Sequence, residues 1–177
     1  MVRKPQQEFN ILGMEKPKDR FGGSLLKGNP KTRRPLESKL PIHLILRARV
    51  GGMRKPQAFV DVDRIIRKVA EKHGVTIYKY ANVGNHLHLL IKIRNIPSWA
   101  RFIRELTGRI AQFMREFLGL TGESFWLVRP FTRIVRSWKT CFQIAKEYIQ
   151  LNVLEAEGFI NRRETKTLRD YRAIFDG

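Results

Sequence analysis

The stretch that most constrains this chain runs from Asn85 to Arg94, where the side chains fall into two sets at alternate positions. Successive side chains of a strand point to opposite faces of the sheet. Leu87, Leu89, Ile91 and Ile93 then share one face, while His86, His88, Leu90 and Lys92 share the other. An unbroken apolar face must be buried against another layer, so the chain has to supply helices that cover it.

The flanking sequence supplies them. Residues 43–50 read as a strand whose end alternates basic and apolar residues, stopped by Gly51-Gly52. Residues 61–73 read as a helix, with Val60, Ile65, Ile66, Val69 and Ala70 as its apolar stripe and Gly74 just beyond its end. Residues 75–80 are β-branched and aromatic, a second strand, and Asn82-Val83-Gly84-Asn85 turns into the third. A long helix is expected from Pro97 to Phe117, its stripe formed by Phe102, Ile103, Leu106, Ile110, Phe113, Met114 and Phe117. Residues 125–135 read as a fourth strand. Residues 138–156 read as a last helix, with Ser137 placed to cap it. The order is β-α-β-β-α-β plus a C-terminal helix, an α+β ferredoxin-like antiparallel sheet with two helices on one face. That fold hosts many functions and selects none.

Three segments follow. Residues 1–40, interrupted by Pro5, Pro17, Pro30 and Pro35 and by Gly22, Gly23 and Gly28, read as a basic, flexible arm. Residues 41–160 form the folded domain, and 161–177 a C-terminal extension. No apolar run approaches the roughly 20 residues that span a bilayer, and no apolar stretch follows the basic start as in a secretory signal. Cys141 is the single cysteine, so an internal disulfide and a thiolate zinc cluster are excluded. A reduced, cytoplasmic protein without membrane contact is expected.

Charge narrows the partner. The 177 residues include 35 Lys and Arg against 16 Asp and Glu, a formal net charge of +19. Residues 1–40 hold ten basic and four acidic residues (+6), residues 41–136 eighteen and six (+12), and residues 137–177 seven and six (+1). The excess lies mainly in the folding domain, and it implies a polyanionic partner such as nucleic acid. Arg101, Arg104, Arg109 and Arg115 lie off the apolar stripe of the long helix, where a phosphate backbone could meet them.

Two imidazoles two residues apart on one strand face are close enough to hold one metal ion, although a lone His-x-His pair is also compatible with ordinary surface histidines. In the mostly apolar run from Phe142 to Leu154, Tyr148 and Asn152 stand at i, i+4 spacing, one turn apart on one helix face. Packed across the histidine face of the sheet, that pair would present a phenol and an amide oxygen together. Taken singly, Tyr148 reads equally as a half-buried core tyrosine and Asn152 as a polar residue near a helix end.

The run Gly84-Asn85-His86-Leu87-His88-Leu89-Leu90, followed by Glu147-Tyr148-Ile149-Gln150-Leu151-Asn152, resembles the single-tyrosine transposases of the HUH (His–hydrophobic–His) endonuclease superfamily. The most similar branch is the insertion-sequence-200-like group, which includes the REP-associated tyrosine transposases. The likeness covers residues 41–160, including Phe125-Trp126 and Arg129. It implies His86, His88 and Asn152 as ligands of a divalent Mg2+ or Mn2+ ion and Tyr148 as the nucleophile. It also implies cleavage and rejoining of single-stranded or hairpin-bearing DNA through a 5′-phosphotyrosine, and a homodimer. Arg47, Arg49, Lys92, Arg129 and Arg133 are the candidate nucleic-acid contacts, with Trp99, Trp126, Trp138 and Tyr80 as candidate stacking residues. Two departures stand out. Asn152 is followed by Val153-Leu154-Glu155 where relatives continue with proline, and Pro130-Phe131-Thr132-Arg133 replaces a stretch that often carries tyrosine and histidine.

Three rival readings follow from the same residues. An RNA-recognition module shares the element order but carries exposed aromatics on its third strand, where this chain has His86, His88, Leu90 and Lys92. A phosphodiesterase with two His-x-Thr/Ser motifs fits poorly, because His43 and His73 lack partners at that spacing. A domesticated relative that binds DNA hairpins without cutting them is compatible with everything above.

Overall fold

A computed structural model describes residues 19–23, 33–161 and 167. The elements are β1 (Arg20–Phe21), β2 (Ile42–Arg47), α1 (Pro56–Lys72), β3 (Thr76–Asn82), β4 (His86–Lys92), α2 (Ile96–Leu118), β5 (Phe131–Ile134) and α3 (Thr140–Ala156). One sheet has the strand order β1-β5-β2-β4-β3, with every pairing antiparallel. From β2 to α3 this is the expected ferredoxin-like α+β order with its added helix, and β1 extends the sheet by a fifth strand.

The expected boundaries move for local reasons. α1 begins at Pro56 rather than 61, because proline at the first helical positions fits a missing N–H and a preset φ. Its buried stripe is Ala58, Val62, Ile66, Val69 and Ala70; Val60, expected in that stripe, is 51% exposed. Phe117, expected in the stripe of α2, is likewise exposed. α2 starts where Asn95 Oδ1 accepts the Ser98 N–H at 2.9 Å, satisfying one of the orphan donors of a helix start. The expected strand over 125–135 shrinks to Phe131–Ile134. Proline 130 has no N–H to offer a ladder, and upstream only an isolated bridge joins Trp126 to Ala48. The Trp126 indole N–H instead donates to the Thr107 carbonyl at 2.9 Å, fastening this segment to α2. Ser137 serves the start of α3: its Oγ accepts the Thr140 N–H at 3.2 Å and its carbonyl accepts the Phe142 N–H at 2.9 Å.

Both faces of the sheet are covered. Ile42, Leu44 and Leu46 of β2 with Leu87, Leu89 and Ile91 of β4 pack against α1 and α2 around Phe102, Leu106 and Ile110. The opposite face carries a smaller core in which Leu90 and Ala81 meet Phe142, Ala145, Tyr148 and Ile149 of α3. The alternation read along residues 86–93 is thus the partition between two cores. At the far ends of α1 and α2, Glu105 accepts from Lys72 Nζ, lies 2.8 Å from the His73 ring, and is paired with Arg109.

β1 is held by side chains as well as by two register pairs, Arg20↔Arg133 and Phe21↔Thr132. The Arg34 guanidinium donates to Thr132 Oγ1 at 2.7 Å and to the Pro130 carbonyl at 2.9 Å, and lies over the Phe21 and Trp99 rings at 4.5 and 5.6 Å. Asp19 grips Arg136 with both carboxylate oxygens. Gly22 closes the approach. Its φ is +95°, and a Cβ there would stand 2.0 Å from the Pro130 oxygen, which only glycine avoids. The remaining residues of 1–40, and those of 161–177 other than Asn161 and Thr167, lie outside the described residues. Among the described residues no helix is long and apolar enough to cross a membrane.

Candidate active site

The register of β2 and β4 assembles the site. Arg47 stands opposite His86, Ile45 opposite His88, and His43 opposite Leu90. All six side chains project from the face that α3 covers. The tight turn before β4, where Gly84 takes φ +92° and the Val83 N–H bonds the His86 carbonyl at 3.1 Å, sets the pairing of β3 with β4, and the Ala48 N–H bond to the Asn85 carbonyl at 2.8 Å ties the end of β2 to the start of β4.

His86 and His88 lie side by side, ring centroids 4.8 Å apart. His86 Nδ1 is 2.6 Å from Asn85 Oδ1. A carboxamide oxygen only accepts, so the His86 proton sits on Nδ1 and the lone pair on Nε2. Burial, and then the Arg47 guanidinium beside it, lowers the His86 pKa to about 4, keeping the ring neutral at pH 7. His88 is wholly buried.

A third imidazole joins them. His43 is a diagonal cross-strand neighbour of His88, and its Nε2 lies 3.2 Å from His88 Nδ1, the two rings within 23° of parallel. Burial, followed by the charge of Arg133, lowers the His43 pKa to about 3. The sequence reading dismissed His43 for want of a partner two residues away. Its partner lies across the ladder, a relation that spacing along the chain does not display.

Tyr148 of α3 packs edge-on against both of these rings, with centroids 5.5 Å from His88 and 5.9 Å from His43. Asn152, one turn on, is buried, and its amide donates to the Tyr148 carbonyl at 2.7 Å. That bond occupies the NH2 group and leaves the amide oxygen as the donor atom this side chain can lend a cation. Among the described residues no group of three or more His, Cys, Asp or Glu is arranged to hold a metal ion. A cation held here would have to draw on a mixed set, such as two imidazoles and a carboxamide oxygen. The neutral, tautomerically fixed His86 suits that set, since a ligating imidazole must be unprotonated at the coordinating nitrogen.

The cationic candidates separate in space. Arg47 adjoins His86 and Arg133 adjoins His43 by register, both on the site face. Lys92 ends β4 with its ammonium 5.7 Å from the Trp138 ring. Arg49 is paired with Glu123 at 3.5 Å, and Arg129 is exposed on the loop before β5. Of the aromatic candidates, Trp99 is core, Trp126 and Tyr80 are half-buried, and Trp138 is 41% exposed beside the site face.

The sequence model of the family described as "Transposase IS200 like" matches residues 37–152, which takes in β2 through Asn152. No curated protein matches the chain by sequence. Among solved structures, a REP-associated tyrosine transposase bound to a REP hairpin shares the fold, with a TM-score of 0.58 at 16% identity, covering 73% of this chain and 75% of that one. A transposase candidate from Deinococcus radiodurans aligns at a TM-score of 0.47 and 22% identity, covering 69% of this chain and 96% of that one. With the family match extending over most of the folded domain and both histidines, the tyrosine and the asparagine inside it, this chain belongs to the IS200-like transposase family.

Proposed function

We propose that the chain cleaves and rejoins single-stranded DNA, with Tyr148 as nucleophile and His86, His88 and Asn152 as ligands of a divalent cation. The observation that carries this reading is the packing of Tyr148 against His88, ring centroids 5.5 Å apart, with His86 beside His88 at 4.8 Å. The REP hairpin in the structural neighbour and the charge of +19 support a hairpin-bearing DNA substrate.

Tyr148 Oη attacks phosphorus in line with the departing 3′ oxygen. The O–P bond to tyrosine forms as the P–O3′ bond breaks; the phenol loses its proton and the 3′ oxygen gains one. The products are a 5′-phosphotyrosine and a free 3′-hydroxyl, and because a phosphodiester is conserved, a second 3′-hydroxyl reverses the step without ATP. A tyrosine of ordinary pKa near 10 is scarcely ionised at neutral pH, so charge must be stabilised where it develops. When bound, a divalent cation polarises the scissile phosphate and offsets charge on its oxygens. The imidazole–carboxamide set suits Mn2+, while Mg2+ would draw more on water and phosphate oxygens. Arg47, partly exposed beside His86, is placed to hold a backbone phosphate, whereas Arg133 is buried at 5% exposure and is not. Two copies acting as a homodimer are expected from the family.

Short hairpin-bearing strands incubated with the protein and Mn2+, then resolved on denaturing gels, test the reading. A covalent protein–DNA band is expected that disappears in Tyr148→Phe, while His86→Ala and His88→Ala lose cleavage but retain binding. A band that persists in Tyr148→Phe rejects the nucleophile. Tight hairpin binding with no band supports a domesticated, non-cutting relative instead.

A further inference from the structure

We propose that His43 is a positioning residue for the metal site: it accepts the Nδ1–H of His88 and thereby fixes the His88 lone pair on Nε2. This rests on the reading of His86 and His88 as ligands. The supporting contact is the buried 3.2 Å approach of His43 Nε2 to His88 Nδ1.

Two neutral imidazoles in such contact share one proton, and the bond has two polarities. If His43 donates, His88 accepts at Nδ1 and carries its own proton on Nε2. Both ring nitrogens of His88 are then spent, and it can ligate nothing. If His88 donates, its Nε2 lone pair is free for a cation and the proton of His43 lies on Nδ1. Only the second polarity is compatible with a ligand at His88. It also makes the two histidines equivalent, because His86 already gives its Nδ1–H to Asn85 Oδ1, at 2.6 Å. Each ligand ring thus has its own acceptor, a carboxamide for the half-buried His86 and an imidazole for the fully buried His88. Such outer partners commonly orient ligating histidines and raise their basicity.

The surroundings explain why an imidazole fills this place. Ile45 lies directly opposite His88 and offers no polar atom, Arg133 across the other ladder is a donor only, and Tyr148 meets both rings edge-on. His43 supplies an acceptor from the strand diagonal. A buried polar side chain at a β2 position flanked by Ile42 and Leu44 costs stability unless bonded, and the bond to His88 offsets that cost.

The test uses the full chain, metal-free and 15N-labelled, at pH 7.5. Long-range 1H–15N spectra should show His88 as the Nδ1–H tautomer. In His43→Phe, His88 should move toward the Nε2–H form, and Mn2+ affinity by titration calorimetry should fall by roughly 10–100-fold. His43→Gln, whose amide oxygen takes the place of Nε2, should restore both. A wild-type His88 protonated at Nε2, or a folded His43→Phe that keeps its Mn2+ affinity, overturns the proposal. If His43→Phe does not fold, the wild-type tautomer and His43→Gln still decide it. Wild-type protein with the expected tautomer but no Mn2+ binding overturns the metal reading, and with it this role for His43.

Discussion

Acid should destabilise the metal-free protein through its buried histidines, beginning at a pH well above the carboxylate range. Facing His43 are His88 from β4, Arg133 from β5 and Tyr148 from α3, and burial is the main reason its pKa falls to about 3. In the unfolded chain it titrates near 6.5. Between those values the unfolded chain holds a proton that the native state refuses, so stability falls as pH falls through the window and is unaffected above it. At pH 5 the cost from His43 is about 2 kcal/mol, with a local slope of about 1.4 kcal/mol per pH unit. His86, lowered to about 4, adds a smaller amount because it keeps some solvent contact. Against a domain stability of roughly 5–15 kcal/mol this is a large fraction. Urea melts from pH 7 to pH 5 at constant ionic strength, with an unchanged m value, measure it. His43→Gln should flatten the slope by one proton's worth. Wild type and His43→Gln losing stability in parallel would refute the assignment of a buried neutral imidazole.

Two further outcomes follow from packing. Arg34→Ala removes three hydrogen bonds, to Phe21, Pro130 and Thr132, and the Phe21 ring contact, which together hold β1 on β5; it should cost about 2–3 kcal/mol. Hydrogen exchange should accelerate first at the Gly23 amide, which bonds the Arg129 carbonyl at 3.1 Å. Leu90→Ala empties the centre of the core beneath α3, and denaturant melts should register a loss of about 2–5 kcal/mol.

Much of this was legible in the sequence, and the main part that was not depends on how separate elements meet. Strand period placed His86 and His88 on the face opposite Leu87 and Leu89, and helical period put Tyr148 with Asn152. Both are local relations within one element. His43 depends on how β2 slides against β4, and no spacing along the chain encodes that offset. β1 is two residues long, too short for any periodicity, and exists because Arg34, Asp19 and Gly22 bring it to β5. Val60 misled because one residue at the wrong angle of a helix looks apolar in sequence and solvent-facing in space. The stretch from Phe125 to Val128 is rich in strand formers, yet its aromatic side chains are spent on the core and on Thr107 rather than on a ladder.

The two cores differ in how they are furnished. Among the described residues, the one under α1 and α2 draws many side chains from three strands and both helices, whereas the one under α3 takes Tyr78, Ala81 and Leu90 from the sheet. The rest of the smaller core comes from α3 itself and the segment leading into it. Such a helix can lift away at a lower free energy than melting the domain. The order of failure is thereby set: under heat or mild denaturant the tyrosine departs while the histidines stay on an intact sheet. Loss of the proposed cleavage would then precede loss of fold, and cooling would restore it without refolding the domain.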